Sequence, residues 1–241
     1  MVAGRWIGRP GSPWLIAGPC EGPFLRSIEP MTYRLAIFDF DGTLADSGGW
    51  VSRVINEVAR RHGFRELSDA EIEMLRGRGN REVIRYMRVP MWKLPAIAAD
   101  MRRRMAADAT SIALFDGVAA MLRSVKDAGV AVAIVSSNSE ANVRRILGAE
   151  AAAAVDAFEC GAGLFGKARK FRKVMRRMGV TGAETICIGD ETRDIEAAAA
   201  VGAASGAAEW GYATPAVLAQ FRPTLTFATP ADITRMANGG N

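Results

Sequence analysis

The chain has 241 residues, 49% of them hydrophobic and 24% charged, with a formal net charge of +5. That composition suits a globular chain with apolar material enough to need no disulfide or structural metal, and no stretch approaches the roughly 18 apolar residues that a membrane-spanning helix needs. Three scattered cysteines (Cys20, Cys160, Cys187) with no CxxC pair argue against a disulfide framework or a zinc site, and a single histidine, His62, excludes any mechanism built on a histidine pair.

Residues 1–30 hold five of the ten prolines and no apolar periodicity, so an irregular extension is expected there. Its longest apolar run, Trp14 to Ala17, is too short for a signal-peptide core, which points to a cytoplasmic protein. Met31 opens a more compact sequence and is expected to be the natural start, or residues 1–30 to be dispensable. Leu35-Ala36-Ile37-Phe38 reads as a buried strand that stops at Asp39. From about Gly49 to Ser111, apolar residues recur at three- and four-residue spacing, as at Val51, Val54, Ile55, Val58 and Ala59, which predicts amphipathic helices broken in the middle by Pro90 and Pro95. Thirteen basic against eight acidic residues between Ser47 and Ser111 carry the whole positive excess. Charge so localised suits an anionic small molecule or a solvated helical face, not nucleic acid.

Beyond this segment the spacing predicts a helix over Val118–Ala128, a strand over Val130–Val135 ending at Ser136, and helices over Ala141–Leu147 and Ala168–Met178. A second buried strand, Thr185–Ile188, ends in Gly189-Asp190; a helix over Asp194–Val201 and a weak strand near Leu225–Phe227 follow. Apolar strands alternating with helices predict an α/β fold, a doubly wound parallel sheet. Residues 31–46 and 112–241 would form this core, and residues 47–111 a small inserted helical domain. Such sheets bind ligands at the carboxyl ends of their strands, where Asp39, Ser136 and Asp190 all fall.

Asp39-Phe40-Asp41-Gly42 sets two carboxylates two residues apart at a strand end. This is either an acidic turn or a pair whose mutual repulsion calls for a cation such as Mg²⁺, with Asp190 completing an oxygen-ligand site. Asp39-Phe40-Asp41-Gly42-Thr43 resembles the first signature of the haloacid dehalogenase-like superfamily, whose members are mostly Mg²⁺-dependent phosphatases. Ser136 resembles its phosphate-binding second motif, Lys167 the lysine of the third, and Gly189-Asp190-Glu191-Thr192-Arg193-Asp194 the acidic fourth. Ala168 and Lys170 stand where many relatives have prolines, which leaves Lys170 as an alternative to Lys167.

The resemblance implies a Rossmann-like core with a helical cap after motif one, as in phosphoglycolate phosphatase-like members, and hydrolysis of a small phosphorylated metabolite with Mg²⁺. Asp39 would be the nucleophile, forming an aspartyl-phosphate, and Asp41 the general acid and base. The ion would be held by Asp39, the backbone carbonyl of Asp41, and Asp190. Asp194 would orient metal-bound water or Lys167, or would simply be a helix N-terminal acid; Glu191 would stand behind them. Ser136, Ser137, Thr43 and Lys167 would hold the phosphoryl group. In the cap, Arg78, Asn80 and Arg81 either contact substrate or solvate a helix. Asp41 favours phosphate esters, since a halide leaving group needs no proton. A sugar phosphomutase is the nearest alternative and a non-catalytic phospho-acceptor a more distant one. No membrane partner is expected, and the oligomeric state is not legible. His62 is expected at the surface, Trp50, Met87 and Trp92 in cap packing, Cys187 in the core, and Trp210-Gly211-Tyr212, after the fifth strand that the resemblance implies, in a structural turn near the rim of the site.

Overall fold

The computed structural model describes residues 33–76, 78–161 and 166–240. The expected extension 1–30, Met31, Gly77 and the Asn80 side chain lie outside the described residues. Six strands form one parallel sheet in the order β3-β2-β1-β4-β5-β6. They are β1 (Leu35–Phe38), β2 (Ala131–Val135), β3 (Ala157–Glu159), β4 (Thr185–Gly189), β5 (Ala204–Ala208) and β6 (Leu225–Phe227). The chain builds outward from β1 to β3 on one side, then returns to lay β4 against the other edge of β1. This reversal makes the topological switch point at which parallel sheets open a crevice.

Side-chain alternation sorts the strands into two faces. Ala36, Phe38, Val132, Ile134, Ile186 and Ile188 pack on one side against α5 (Val118–Asp127), α6 (Glu140–Ala153) and α10 (Pro230–Ala237). Leu35, Ile37, Ala133, Val135 and Cys187 pack on the other against α7 (Lys167–Met178) and α8 (Thr192–Ala199). All four side chains of β1 are fully buried, each large one contributing about 1.5–3 kcal/mol by leaving water. Cys187 is in this core as the sequence predicts. A short α9 (Pro215–Ala219) joins β5 to β6.

Between β1 and α5 lie α1 (Gly48–His62), α2 (Asp69–Leu75), α3 (Asn80–Tyr86) and α4 (Leu94–Asp108). A reciprocal capping box between Ser68 and Glu71 starts α2. Pro90 precedes a 3₁₀ turn over Met91–Lys93, whereas Pro95 falls in the first turn of α4 and starts a helix instead of breaking one. No described helix is long and apolar enough to cross a membrane.

Several local expectations are corrected. Helix α6 runs past Leu147 to Ala153 across a non-helical Gly148. Trp50 and Met87 are buried, but Trp92 is 79% exposed on the 3₁₀ turn and packs no core. His62 is not a plain surface residue: its Nε2 lies 3.1 Å from Oδ2 of the buried Asp100, among Arg61, Arg103 and Arg104. An ionised carboxylate at that depth needs those cations around it.

Candidate active site

The register sets the floor of the site. Phe38 pairs with Ile134 on one side and Ile188 on the other, and the Asp39 N–H donates to the Ile188 carbonyl at 2.9 Å. One step further, β1, β2 and β4 release Asp39, Ser136 and Asp190 at the same sheet edge. After Asp39 the chain turns at once, since the Phe40 carbonyl accepts from the N–H groups of Leu44 and Ala45, each at 2.9 Å. Gly42 permits that turn with φ of +84°. A Cβ there would fall 2.3 Å from Asp190 Oδ2, and one at Gly211 would fall 2.2 Å from Asp190 Cβ. The two glycines are the space in which Asp190 sits.

Asp39, Asp190 and Asp194 are buried, and one oxygen from each lies within 4.8 Å of the others. Lys167 Nζ reaches Asp39 Oδ2 at 2.7 Å and also pairs with Asp194 Oδ1. Lys170, one turn further along α7, instead donates to the carbonyls of Ser136 (2.9 Å) and Gly161 (3.0 Å). The amine against Asp39 is therefore that of Lys167, while Lys170 ties down the loops behind it. Asp194 also accepts from the Glu191 N–H at 3.1 Å in a capping box that opens α8, so its cap and lysine-pairing roles coincide.

The remaining interactions set proton affinities. Burial pushes the Asp39 carboxyl up, but the Lys167 and Arg193 charges outweigh it and hold the group below the usual carboxylate range. Asp41, half-buried, is pushed up to about 6 by desolvation and by the Asp39 charge, against a hydrogen bond from Ser47. Burial and the surrounding Glu191, Asp39 and Asp194 charges raise Asp190 well above its ordinary value. Burial likewise brings Glu191 to about 7. These acids are set against Lys167 and Arg193, leaving a buried, all-oxygen and net-negative cluster. Asp39, Asp190 and Asp194 offer carboxylate oxygens of the kind that could hold a hard divalent cation.

A cavity of about 680 Å³ lies over this cluster. Asp41, Gly42, Ser137, Asn138, Glu191 and Arg193 line it on the sheet side. Ser136 is buried at the end of β2, where its Oγ accepts from the Asn138 N–H at 3.0 Å. Thr43, expected at the phosphoryl group, is fully buried and donates to Asp190 Oδ1 at 2.7 Å. Arg78 lines the cavity and pairs with Glu82 at 3.0 Å. Arg81, expected beside it, is exposed and lines a neighbouring groove with Arg85 and Arg88, while Ile84 and Val89 border both that groove and the cavity.

Two contributors were not expected from sequence. Arg193 Nη2 lies 3.6 Å from Asp39 Oδ2 and 2.6 Å from Glu191 Oε1; in sequence it stood inside the fourth motif with no role of its own. The Trp210-Gly211-Tyr212 turn, expected near the rim of the site as a structural turn, forms part of its wall. The Tyr212 N–H donates to Asp190 Oδ2 at 2.9 Å, and Trp210 Nε1–H donates to the Thr43 carbonyl at 3.0 Å.

With this geometry in place, the similarity to known proteins is specific. The sequence model described as haloacid dehalogenase-like hydrolase matches residues 36–208. A phosphoglycolate phosphatase of Synechococcus elongatus is 29% identical over 82% of this chain and 93% of its own length. The tyrosine-protein kinase PtkA of Mycobacterium tuberculosis is 28% identical over 86% of this chain and 72% of its own. Among solved structures, a haloacid dehalogenase-like hydrolase of Streptococcus pneumoniae superposes with a TM-score of 0.71 at 16% identity, covering 84% of this chain and 97% of that one.

Proposed function

This chain belongs to the haloacid dehalogenase-like hydrolase family and is a phosphatase-type enzyme, and from that premise we propose that it hydrolyses a small phosphate monoester through Asp39 with Mg²⁺. The observation that carries the reading is the split between two neighbouring carboxyls. Asp39 is held ionised by Lys167 and Arg193, while Asp41 is pushed up to about 6. An ionised nucleophile and a protonatable partner two residues away are what a two-step transfer requires.

In the first step an Asp39 oxygen attacks phosphorus, the bond from phosphorus to the ester oxygen breaks, and Asp41 gives its proton to the departing alcohol. In the second, Asp41 takes a proton from water as that water attacks the phosphoryl-Asp39, releasing inorganic phosphate and restoring both carboxyls. Ser136, Ser137 and Lys167 would hold the phosphoryl oxygens, and Arg193 would steady Asp39. Thr43 and Tyr212 position Asp190 through the hydrogen bonds given above. Mg²⁺ held by Asp39, Asp190 and Asp194, with the Asp41 carbonyl, would screen the negative phosphate from the negative nucleophile. The helices of residues 47–111 would act as the cap that closes over the substrate.

Phosphate release from a panel of phosphorylated metabolites, with and without EDTA, tests the reading. Release that requires divalent metal and disappears in Asp39→Asn supports it. Transfer to a second hydroxyl with no free phosphate, the phosphomutase outcome, would replace water as the acceptor, and no turnover at all would leave only a phospho-acceptor.

A further inference from the structure

Resting on the phosphatase reading, we infer that the leaving group of the substrate carries an apolar body, an alkyl chain or an aromatic ring, seated among the cap helices. The cap side of the 680 Å³ cavity is mainly hydrocarbon, with Ser52, Glu73, Arg76, Arg78 and Arg102 also on its lining. Ile55 of α1, Ile72 of α2, Val83 and Ile84 of α3, and Leu94 and Ile97 of α4 all line it. Each of the six remains partly exposed, and Ile55, Ile72 and Val83 rest on the buried Leu67, Leu75 and Met87 beneath them. The surface they keep open faces a shared space that reaches Asp41 and Arg193. A space of this size holds far more than a two-carbon leaving group, and walls of this kind with a few polar groups at one end are typical of sites for mainly apolar ligands.

The charges around the space agree. Arg76 is 3.3 Å from Glu73 Oε1 and 3.4 Å from the Gly211 carbonyl, and Arg78 is 3.0 Å from Glu82. Arg193 is engaged by Glu191 and Asp39 at the phosphoryl end. An anionic leaving group such as glycolate would enter hydrocarbon walls while these guanidiniums serve acids of the chain itself, leaving Arg102 of α4 to meet its carboxylate.

The test compares kcat/KM for ethyl, butyl and hexyl phosphate with that for phosphoglycolate on the full chain with Mg²⁺. The three alkanols differ little as leaving groups, so a trend reports burial of the chain. Each methylene that enters the cavity adds up to about fourfold, and hexyl phosphate is expected to exceed ethyl phosphate at least tenfold. Ile84→Asn lowers that ratio, and the milder Ile84→Ala lowers it less; the wild-type series decides the matter even if Ile84→Asn does not fold. A flat series overturns the inference. So does preference for phosphoglycolate that is lost in Arg102→Gln, and in both cases the phosphatase reading stands. Absence of phosphate release from all four esters overturns the inference too, while the phosphatase reading is then decided by the metabolite panel.

Discussion

Ser47 Oγ donates to Asp41 Oδ1 at 3.0 Å, at the point where the chain leaves the sheet for α1. Its other neighbour is the Tyr212 hydroxyl, also at 3.0 Å. The bond favours the ionised form of Asp41 and opposes the desolvation and Asp39 charge that raise the group to about 6. As the general acid, Asp41 works while protonated, so the leaving-group step loses rate as pH rises through that value. Ser47→Ala removes the opposing bond and is expected to move the descending limb of the kcat/KM profile to higher pH, by about half a unit to one unit. An unmoved limb would mean that another group sets the profile.

Lys167 is the neutralising partner of two buried acids. Removing one member of a buried ion pair costs about 3–5 kcal/mol, so Lys167→Ala is expected to lower denaturant stability by an amount of that order while reducing turnover at least about 100-fold. Lys170→Ala loses the two carbonyl contacts but leaves the pair to Asp39 in place, and its turnover is expected to fall far less. Steady-state kinetics and urea titrations of the two variants check this.

Divalent metal is expected to stabilise as well as activate. Glu191 has a folded-state pKa of about 7, above the ordinary value for a glutamate. Its contribution is therefore fully present below about pH 4.3 and is lost as pH rises through about 7. The same direction holds for Asp190. Metal-free protein should thus weaken across that range, and Mg²⁺ should restore the loss, by about 2.7 kcal/mol at a hundredfold excess over its Kd. Thermal melts of wild type should rise with Mg²⁺, and those of Asp190→Asn should respond much less.

Two capping glutamates give the opposite sign. Glu71 and Glu184 are each held down to about 2: Glu71 by the Ser68 backbone N–H and the Tyr86 hydroxyl, Glu184 by Arg34 and the Thr181 backbone N–H. Their contribution is present above about pH 4.3 and disappears as pH falls towards 2. Glu184→Gln should flatten the acid side of the stability profile, as followed by far-UV circular dichroism.

How much of this was legible depended on what each residue had to do locally. The ends of β1, β2 and β4 were readable because long apolar side chains stop abruptly at Asp39, Ser136 and Asp190. β5, with the sequence Ala-Ser-Gly-Ala-Ala, offers neither β-branched nor aromatic residues and gave no periodic signal of its own. Its small residues fit a close approach, since a Cβ at Gly206 would lie 2.7 Å from the Phe227 ring. Arg193 was hidden because its partner Asp39 is remote in sequence, and pattern carries no information about such a pairing. Thr43 turns to Asp190, and Arg81 takes the helix-solvating alternative of the two the sequence offered, for a related reason. Adjacency to a motif says that a residue is near the site, whereas the turn after β1 and the phase of α3 decide where its side chain goes.

The central claim is that Asp39 itself carries the phosphoryl group. Quenching a single turnover of a ³²P-labelled monoester in acid, then digesting the protein, measures this directly. Hydroxylamine-labile label on the peptide that contains Asp39, absent from Asp39→Asn, is the expected result. Phosphate released at full rate with no label on that peptide, or by the Asp39→Asn enzyme, would contradict it.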